Sequence, residues 1–413
     1  MRGKRMASIG AIAAVLLGVL TPAQAAAGRA VDLSGELRGV AYEIRVPETW
    51  NGTLVMYAHG YRDAADHPGE PDDRSAQAFT SEEAEQALLD AGYAIAGSAY
   101  ASNGWAVRDG IRDTLRLRQH FRKMVGKPKR TLLAGFSMGS VITFASIERY
   151  PRFYDGAMPS CPVGAGTPRT WDGTLAIAKA YDAVYGWPAA WGEPGDVRDD
   201  LDFESEVAPV LVSQLQAPGG AAKFEFMRLA TGVPQGPEWP LGIWFFATEG
   251  RAELERRADG APAQNRDHTY RLTAADRAHL AELGLTGEQV DGYLVAMGQD
   301  RVTADRSARR YTERYADYDG RLRRPVLTLH TQVDALVPPA HISAYTETVA
   351  DASRLKYLDK AWTSGNGHCA FTAQQQLTAV QALDRWVRTG HKPGPFPPAQ
   401  GFVDVNPPPW PQP

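Results

Sequence analysis

In this 413-residue chain the segment Gly135-Phe136-Ser137-Met138-Gly139 has residue types and spacing that point directly to chemistry. The pentapeptide reads G-x-S-x-G and stands between an apolar run, Arg130 to Phe136 (RTLLAGF), and a helix-like run, SMGSVITFASIERY. A turn passing directly from strand to helix needs glycine on both sides, where a Cβ would clash, and it leaves the central hydroxyl exposed at a helix N-terminus. A serine held in this way can act as a nucleophile if an imidazole takes its proton and a carboxylate fixes the imidazole in one tautomer. The chain carries nine histidines and 48 acidic residues, so residue type alone does not select those partners.

The elements that must place Ser137 come from hydrophobic patterning. Thr53 to His59, Ala94 to Tyr100, Arg130 to Phe136 and Pro325 to Thr331 are continuous apolar runs, as expected of strands covered on both faces. Ala41 to Val46 and Arg354 to Leu358 are weaker strand candidates. Ser81 to Leu89, Val107 to Val125 and Ala373 to Val387 carry apolar residues at helical spacing. The alternation predicts an α/β fold: a mostly parallel sheet with helices on both faces. It stops after Pro162 and resumes at Pro325. The stretch between is helix-like, with capping patterns at Thr273-x-x-Asp276 and Thr286-x-x-Gln289. It also holds Trp171, Trp187, Trp191, Trp239 and Trp244, half of the ten tryptophans. The organisation expected is therefore a core over 26–162 and 325–391, a helical cap over 163–324, and a proline-rich surface tail over 392–413.

Composition narrows the partners. Of the residues 44% are hydrophobic and 22% charged, which excludes disordered, collagenous and coiled-coil chains. Forty-four basic against 48 acidic side chains give a net charge of −4 with no long run of one sign, so no nucleic-acid footprint is present. At the N-terminus Arg2, Lys4 and Arg5 precede an apolar stretch, Ala11 to Leu20, too short to span a bilayer, and Ala23-Gln24-Ala25 has the small-x-small form of a cleavage site. These features predict a signal peptide over residues 1–25, removed after Ala25 or nearby Ala27. The mature protein is then expected in the periplasm or outside the cell, with no remaining membrane span.

With His59-Gly60 closing an early strand, GFSMG following a later one, and an Asp and a His further on, the chain resembles the α/β-hydrolase superfamily over nearly all of its sheet region. That family's order of serine, acid and histidine is matched by Ser137, Asp334 in HTQVDALVPP and His368 in GNGHCAFT. Asp359 is the competing acid, but it comes at the end of the last strand, whereas the family's acid usually follows the strand before it. The resemblance implies an oxyanion hole built from the backbone N–H groups of Met138 and Tyr61, with the His59 side chain supporting the loop rather than acting as a base. No cofactor or metal is implied. The carboxylates Asp66, Glu70, Asp72 and Asp73 lack the spacing of a calcium loop and read as a solvated rim.

Cys161 ends the strand after the nucleophile's helix and Cys369 follows the candidate histidine, so both are expected at one sheet edge. An oxidising compartment then favours a disulfide that closes a loop around the whole insertion. The cysteine after the histidine gives a partial resemblance to tannases and feruloyl esterases, whose second cysteine directly precedes the serine, where this chain has Phe136. His59, Gly60, Asn103 and Trp105 are the expected pocket residues. The function implied is hydrolysis of a small or polymeric carboxylic ester through an acyl-enzyme. Two other readings remain: a peptidase in which a cap carboxylate such as Glu204 or Glu206 binds a free amine, and a catalytically silent binding protein with the same fold.

Overall fold

The computed structural model describes residues 29–65 and 72–411. The expected signal peptide, together with Asp66 and Glu70, lies outside the described residues. The chain begins with β1 (Val31–Glu36), β2 (Ala41–Val46), β3 (Thr53–Ala58), α1 (Glu82–Asp90), β4 (Ala94–Ser98) and α2 (Val107–Met124). β5 (Arg130–Phe136), α3 (Met138–Arg149) and β6 (Gly156–Ser160) follow. Eight α-helices then run without a strand in the main sheet: α4 (Gly166–Tyr185), α5 (Ala208–Gln216), α6 (Gly220–Thr231), α7 (Gly242–Ala247), α8 (Glu249–Ala258), α9 (Ala274–Glu282), α10 (Gly287–Gln299) and α11 (Arg306–Ala316). A two-residue hairpin, β7 (Gly192–Glu193) with β8 (Asp196–Val197), sits among them. The chain re-enters the sheet with β9 (Val326–Val333), α12 (Ala340–Asp351), β10 (Leu358–Asn366), α13 (Ala373–Thr389) and β11 (Phe402–Val403).

The sheet has nine strands in the order β1-β2-β4-β3-β5-β6-β9-β10-β11. The central pairs from β4 to β10 are parallel, and antiparallel strands stand at both edges. Side-chain alternation explains why β3 is apolar throughout. Leu54, Met56 and Ala58 join one core cluster with α2 and α3, whereas Val55 and Tyr57 join another with α1 and α13. The inserted helices have a third cluster of their own, in which Trp191, Trp239 and Trp244 are buried against Tyr181 and Phe224. Both expected capping boxes form: Thr273 and Thr286 accept from the N3 amide, while Asp276 and Gln289 accept from the cap amide.

Three features differ from the sequence expectation. The weak strand at Arg354 to Leu358 is displaced. Residues 355–357 make a 3-10 turn and the strand itself runs Leu358–Asn366. The solvated edge strand β1 lacked the apolar run that marks a buried strand. The tail over 392–413 is more than a surface segment. Between its prolines, Phe402–Val403 pairs with Trp362 and Thr363, Phe402 stacks on Phe396, and Trp410 packs edge-on against His341.

Candidate active site

β5 delivers Ser137 into a turn of one residue before α3 begins at Met138. A Cβ on Gly135 would lie 2.1 Å from the Gly139 carbonyl oxygen, and one on Gly139 would lie 2.0 Å from that of Ala58. No side chain fits at either position, which is the physical reason for both glycines. Ser137 is held at φ 56°, a region costly for a residue with a Cβ, and its amide donates to the Ser160 carbonyl (3.1 Å) and to Cys161 Sγ (3.3 Å). Three other non-glycine residues with positive φ, Tyr100, Cys161 and Cys369, lie on the loops around it.

Asp334 follows β9 by one residue and is fully buried. Its Oδ1 accepts from the amides of Leu336 (3.0 Å) and Val337 (2.7 Å), and its Oδ2 lies 2.8 Å from His368 Nδ1. Burial pushes this carboxyl up, but the charge and hydrogen bond of His368, with His330 and the Val337 amide, outweigh it and hold the group below the ordinary carboxylate value. An ionised carboxylate only accepts, so Nδ1 must carry the proton and Nε2 is left as the acceptor. Nε2 is 2.8 Å from Ser137 Oγ, whose hydroxyl donates to it. The three residues thus form a continuous chain of hydrogen bonds. His368 is aimed by a register shift in β10 between Thr363 and Asn366, and by two stitches across the strand ends: Gly367 N–H to the Val333 carbonyl (2.8 Å) and Thr331 Oγ1 to the Gly367 carbonyl (3.1 Å). Asp359, the competing acid, is the second residue of β10, at the end away from His368.

The Met138 amide is the first of α3 and so lacks an acceptor within the helix. Gly60 lies against the serine: a Cβ there would be 3.2 Å from Ser137 Cβ, so the 60–61 turn faces Ser137. His59 supports this turn from below. Its Nδ1 is 2.8 Å from the Gly60 carbonyl, and its ring stacks on Tyr100 at 3.9 Å. Burial, reinforced by Arg62, lowers its pKa to about 4, so the ring is neutral near pH 7.

A disulfide joins Cys161 to Cys369, with Cα atoms 5.1 Å apart and 208 residues apart in sequence. It ties the end of β6 to the residue after His368. The two sulfurs lie beside His368, but bonded to each other they are not thiolates available to a metal.

Ser137 and His368 line a cleft of about 1210 Å³ together with Gly60 and Tyr61. Of the expected pocket residues only Gly60 is in its wall. His59, Asn103 and Trp105 are each about 5% exposed or less and point into the protein. Asn103 turns to the acidic loop, donating to Asp72 (2.9 Å) and the Asp73 carbonyl, while Trp105 packs on Trp171 and donates to Thr167. Of the insertion's tryptophans, Trp187, Trp191, Trp239 and Trp244 serve its own core, whereas Trp171 joins the sheet-side cluster beside Trp105. The aromatic wall is made by Phe203, Phe245 and Phe246, with Phe136 and Phe371 from the sheet side, and Tyr61 meets Phe245 and Phe246 edge-on. An apolar α7 sequence of GIWFFA could have signalled a cap face, but not which rings turn towards Ser137. Glu238, which contacts both the acid and histidine loops, carried no sequence signal at all.

This strand order, with Ser137 at the sharp bend after β5, Asp334 after β9 and His368 after β10, is the α/β-hydrolase fold. Comparison with known proteins adds distant likenesses. The chain is 24% identical to an o-phthalyl amidase of Xanthobacter agilis over 86% of both chains. Among solved structures it is similar to feruloyl esterase B from Aspergillus oryzae (13% identity, 88% of this chain and 80% of that one, TM-score 0.42). It also resembles a putative dipeptidyl aminopeptidase IV from Bacteroides ovatus (11% identity, 87% of this chain, TM-score 0.42), of which it spans 36%, about a third. No protein-family model matches the chain. Among the described residues no helix is long and apolar enough to cross a membrane.

Proposed function

We propose that the chain is an exported serine hydrolase that cleaves carboxylic esters, and amides of similar shape, through an acyl-enzyme. The hydrogen-bonded series Ser137–His368–Asp334, opening into an aromatic-walled cleft, is the observation that carries this reading. Ser137 Oγ attacks the substrate carbonyl as its proton passes to His368 Nε2. Asp334 stabilises the imidazolium without itself taking the proton. The Met138 and Tyr61 amides receive the negative charge that develops on the carbonyl oxygen, a contribution typically worth about 10² to 10³ in rate for each donor. His368 then protonates the leaving alcohol or amine, and a water molecule deprotonated by the same nitrogen attacks the acyl-enzyme to release the acid and restore Ser137.

Amides are included because the similarity to an o-phthalyl amidase extends along 86% of each chain. The free-amine peptidase reading has less support: Glu204 lines the cleft, but Glu206 is paired with Arg198 and does not. Export rests on the N-terminal sequence and agrees with the disulfide. A panel of short and long acyl esters, aryl amides and aminoacyl arylamides, run on wild type and Ser137→Ala with fluorophosphonate labelling, tests the proposal. Ser137→Ala is expected to lose the label and more than about 10³-fold in rate. An unlabelled, inactive wild type would favour the silent binding protein.

A further inference from the structure

The two strands that carry the acid and the histidine end side by side, and each leaves an amide pointing towards the helical insertion. Both are met by one side chain. Glu238, between α6 and α7, accepts the His368 amide on Oε1 (2.5 Å) and the Ala335 amide on Oε2 (3.1 Å). Ala335 is the residue after Asp334, so one carboxylate grips the backbone of both members of the relay at positions 97 and 130 residues away in sequence. Each N–H has its own oxygen of the carboxylate, a two-oxygen fork that an amide or hydroxyl side chain does not offer. The surroundings fit this contact. Gly367, at φ 118°, keeps a side chain away from the fork, since a Cβ there would stand 3.2 Å from Glu238 Oε1. A Cβ on Gly236 would be 3.1 Å from Ala335 Cβ, so the segment before Glu238 already lies against the acid loop. Trp239, the next residue, is buried in the insertion's own core and fixes the base of the Glu238 side chain.

We infer that Glu238 is a positioning residue: through it the helical insertion sets the spacing of Asp334 and His368, and turnover depends on that contact although Glu238 touches no substrate. The inference rests on the proposed relay. Glu238 closes a ring that runs from its carboxylate through the His368 backbone and imidazole to Asp334, then through Ala335 back to its second oxygen. Opening the ring lets the imidazole drift from Ser137 Oγ, and displacements of about 1 Å can cost about 100-fold in rate.

The test compares wild type, Glu238→Ala, Glu238→Gln and Glu253→Ala for kcat, KM, fluorophosphonate labelling rate and thermal midpoint. Glu253 is the control because it also joins the insertion to the core, accepting the Trp105 amide at 2.8 Å away from the relay. Glu238→Ala is expected to lower kcat and the labelling rate about 10- to 100-fold with KM within about twofold. Glu238→Gln keeps one accepting oxygen and is expected to fall between Glu238→Ala and wild type. Glu253→Ala is expected to lower the thermal midpoint without changing kcat per folded molecule. Wild-type kcat in Glu238→Ala, or a loss no larger per degree of midpoint than in Glu253→Ala, overturns the inference while the relay stands. A wild type that is neither labelled nor active overturns both.

Discussion

Replacing both Cys161 and Cys369 with alanine tests how far the bridge serves the site as well as the fold. The bridged residues are 208 apart, and a loop of that length removes about 5 kcal/mol of chain entropy from the unfolded state on the simple polymer estimate. Measured bridges more often contribute about 2 to 4 kcal/mol, so the variant should lose about 2 to 5 kcal/mol. For a chain of this size that is a drop of roughly 2 to 6 °C in thermal midpoint. Activity should also fall, for a separate reason. Cys161 Sγ accepts the Ser137 amide at 3.3 Å and Cys369 is the neighbour of His368, so the bridge constrains both ends of the Oγ–Nε2 hydrogen bond. A fall of about 10-fold or more in kcat is expected well below the melting range, and treating the wild type with a thiol reductant should reproduce it. Melting by circular dichroism and ester turnover at 25 °C measure the two effects separately. A lowered midpoint with unchanged kcat would show that the bridge only holds the fold, and the argument about Ser137 and His368 would fail.

Three further outcomes follow from the geometry. Asp334→Asn should cost about 10³ to 10⁴ in kcat by withdrawing the acceptor that fixes the imidazole, whereas Asp359→Asn should stay within about twofold; steady-state kinetics on one ester decide between the two acids. Gly139→Ala forces a Cβ to within 2.0 Å of the Ala58 carbonyl oxygen, and the expected cost is about 3 kcal/mol or more, read as lost soluble yield or a lowered denaturation midpoint. Glu148, which accepts from the amides of Asp319 and Gly320 and from Tyr345, is pushed by burial from 4.5 up to about 7. Its raised folded value favours the protonated form, so its contribution is fully present below pH 4.5 and is lost as pH rises through about 7, by on the order of 3 kcal/mol. Thermal midpoints from pH 4.5 to 8 should decline less steeply in Glu148→Gln than in wild type; parallel curves would rule the group out.

What could be read from the sequence depended on whether a residue's constraint was local. The bend at Ser137 was legible because both glycines are required by atoms within a few residues or on the adjoining strand. The strands β3, β4, β5 and β9 were legible because burial on both faces demands unbroken apolar runs. Asp334 and His368 came from chain order, and the hydrogen bonds at 2.8 Å bring them together with Ser137. Asn103 and Trp105 were placed in the pocket on the strength of their position after β4, but their side chains answer to the acidic loop and to Trp171, and neither demand is visible in their own neighbourhood. Glu238 and the wall of Phe245 and Phe246 depend on how the insertion sits over the sheet. No periodicity within the insertion encodes that. β11 was hidden because the prolines around it suggested an extended tail, while the short GFVDV stretch between them has residues able to pair.

That last strand carries a practical consequence for handling the molecule. Only two residues of β11 pair with β10, yet they cover main-chain groups of Trp362 and Thr363, a few residues before His368. Trimming the polypeptide ahead of Phe402 would leave a bare strand margin open to pairing with a neighbouring copy. Such a shortened form should therefore clump at high concentration while individual molecules keep their cleft, and light scattering would detect this before any loss of turnover.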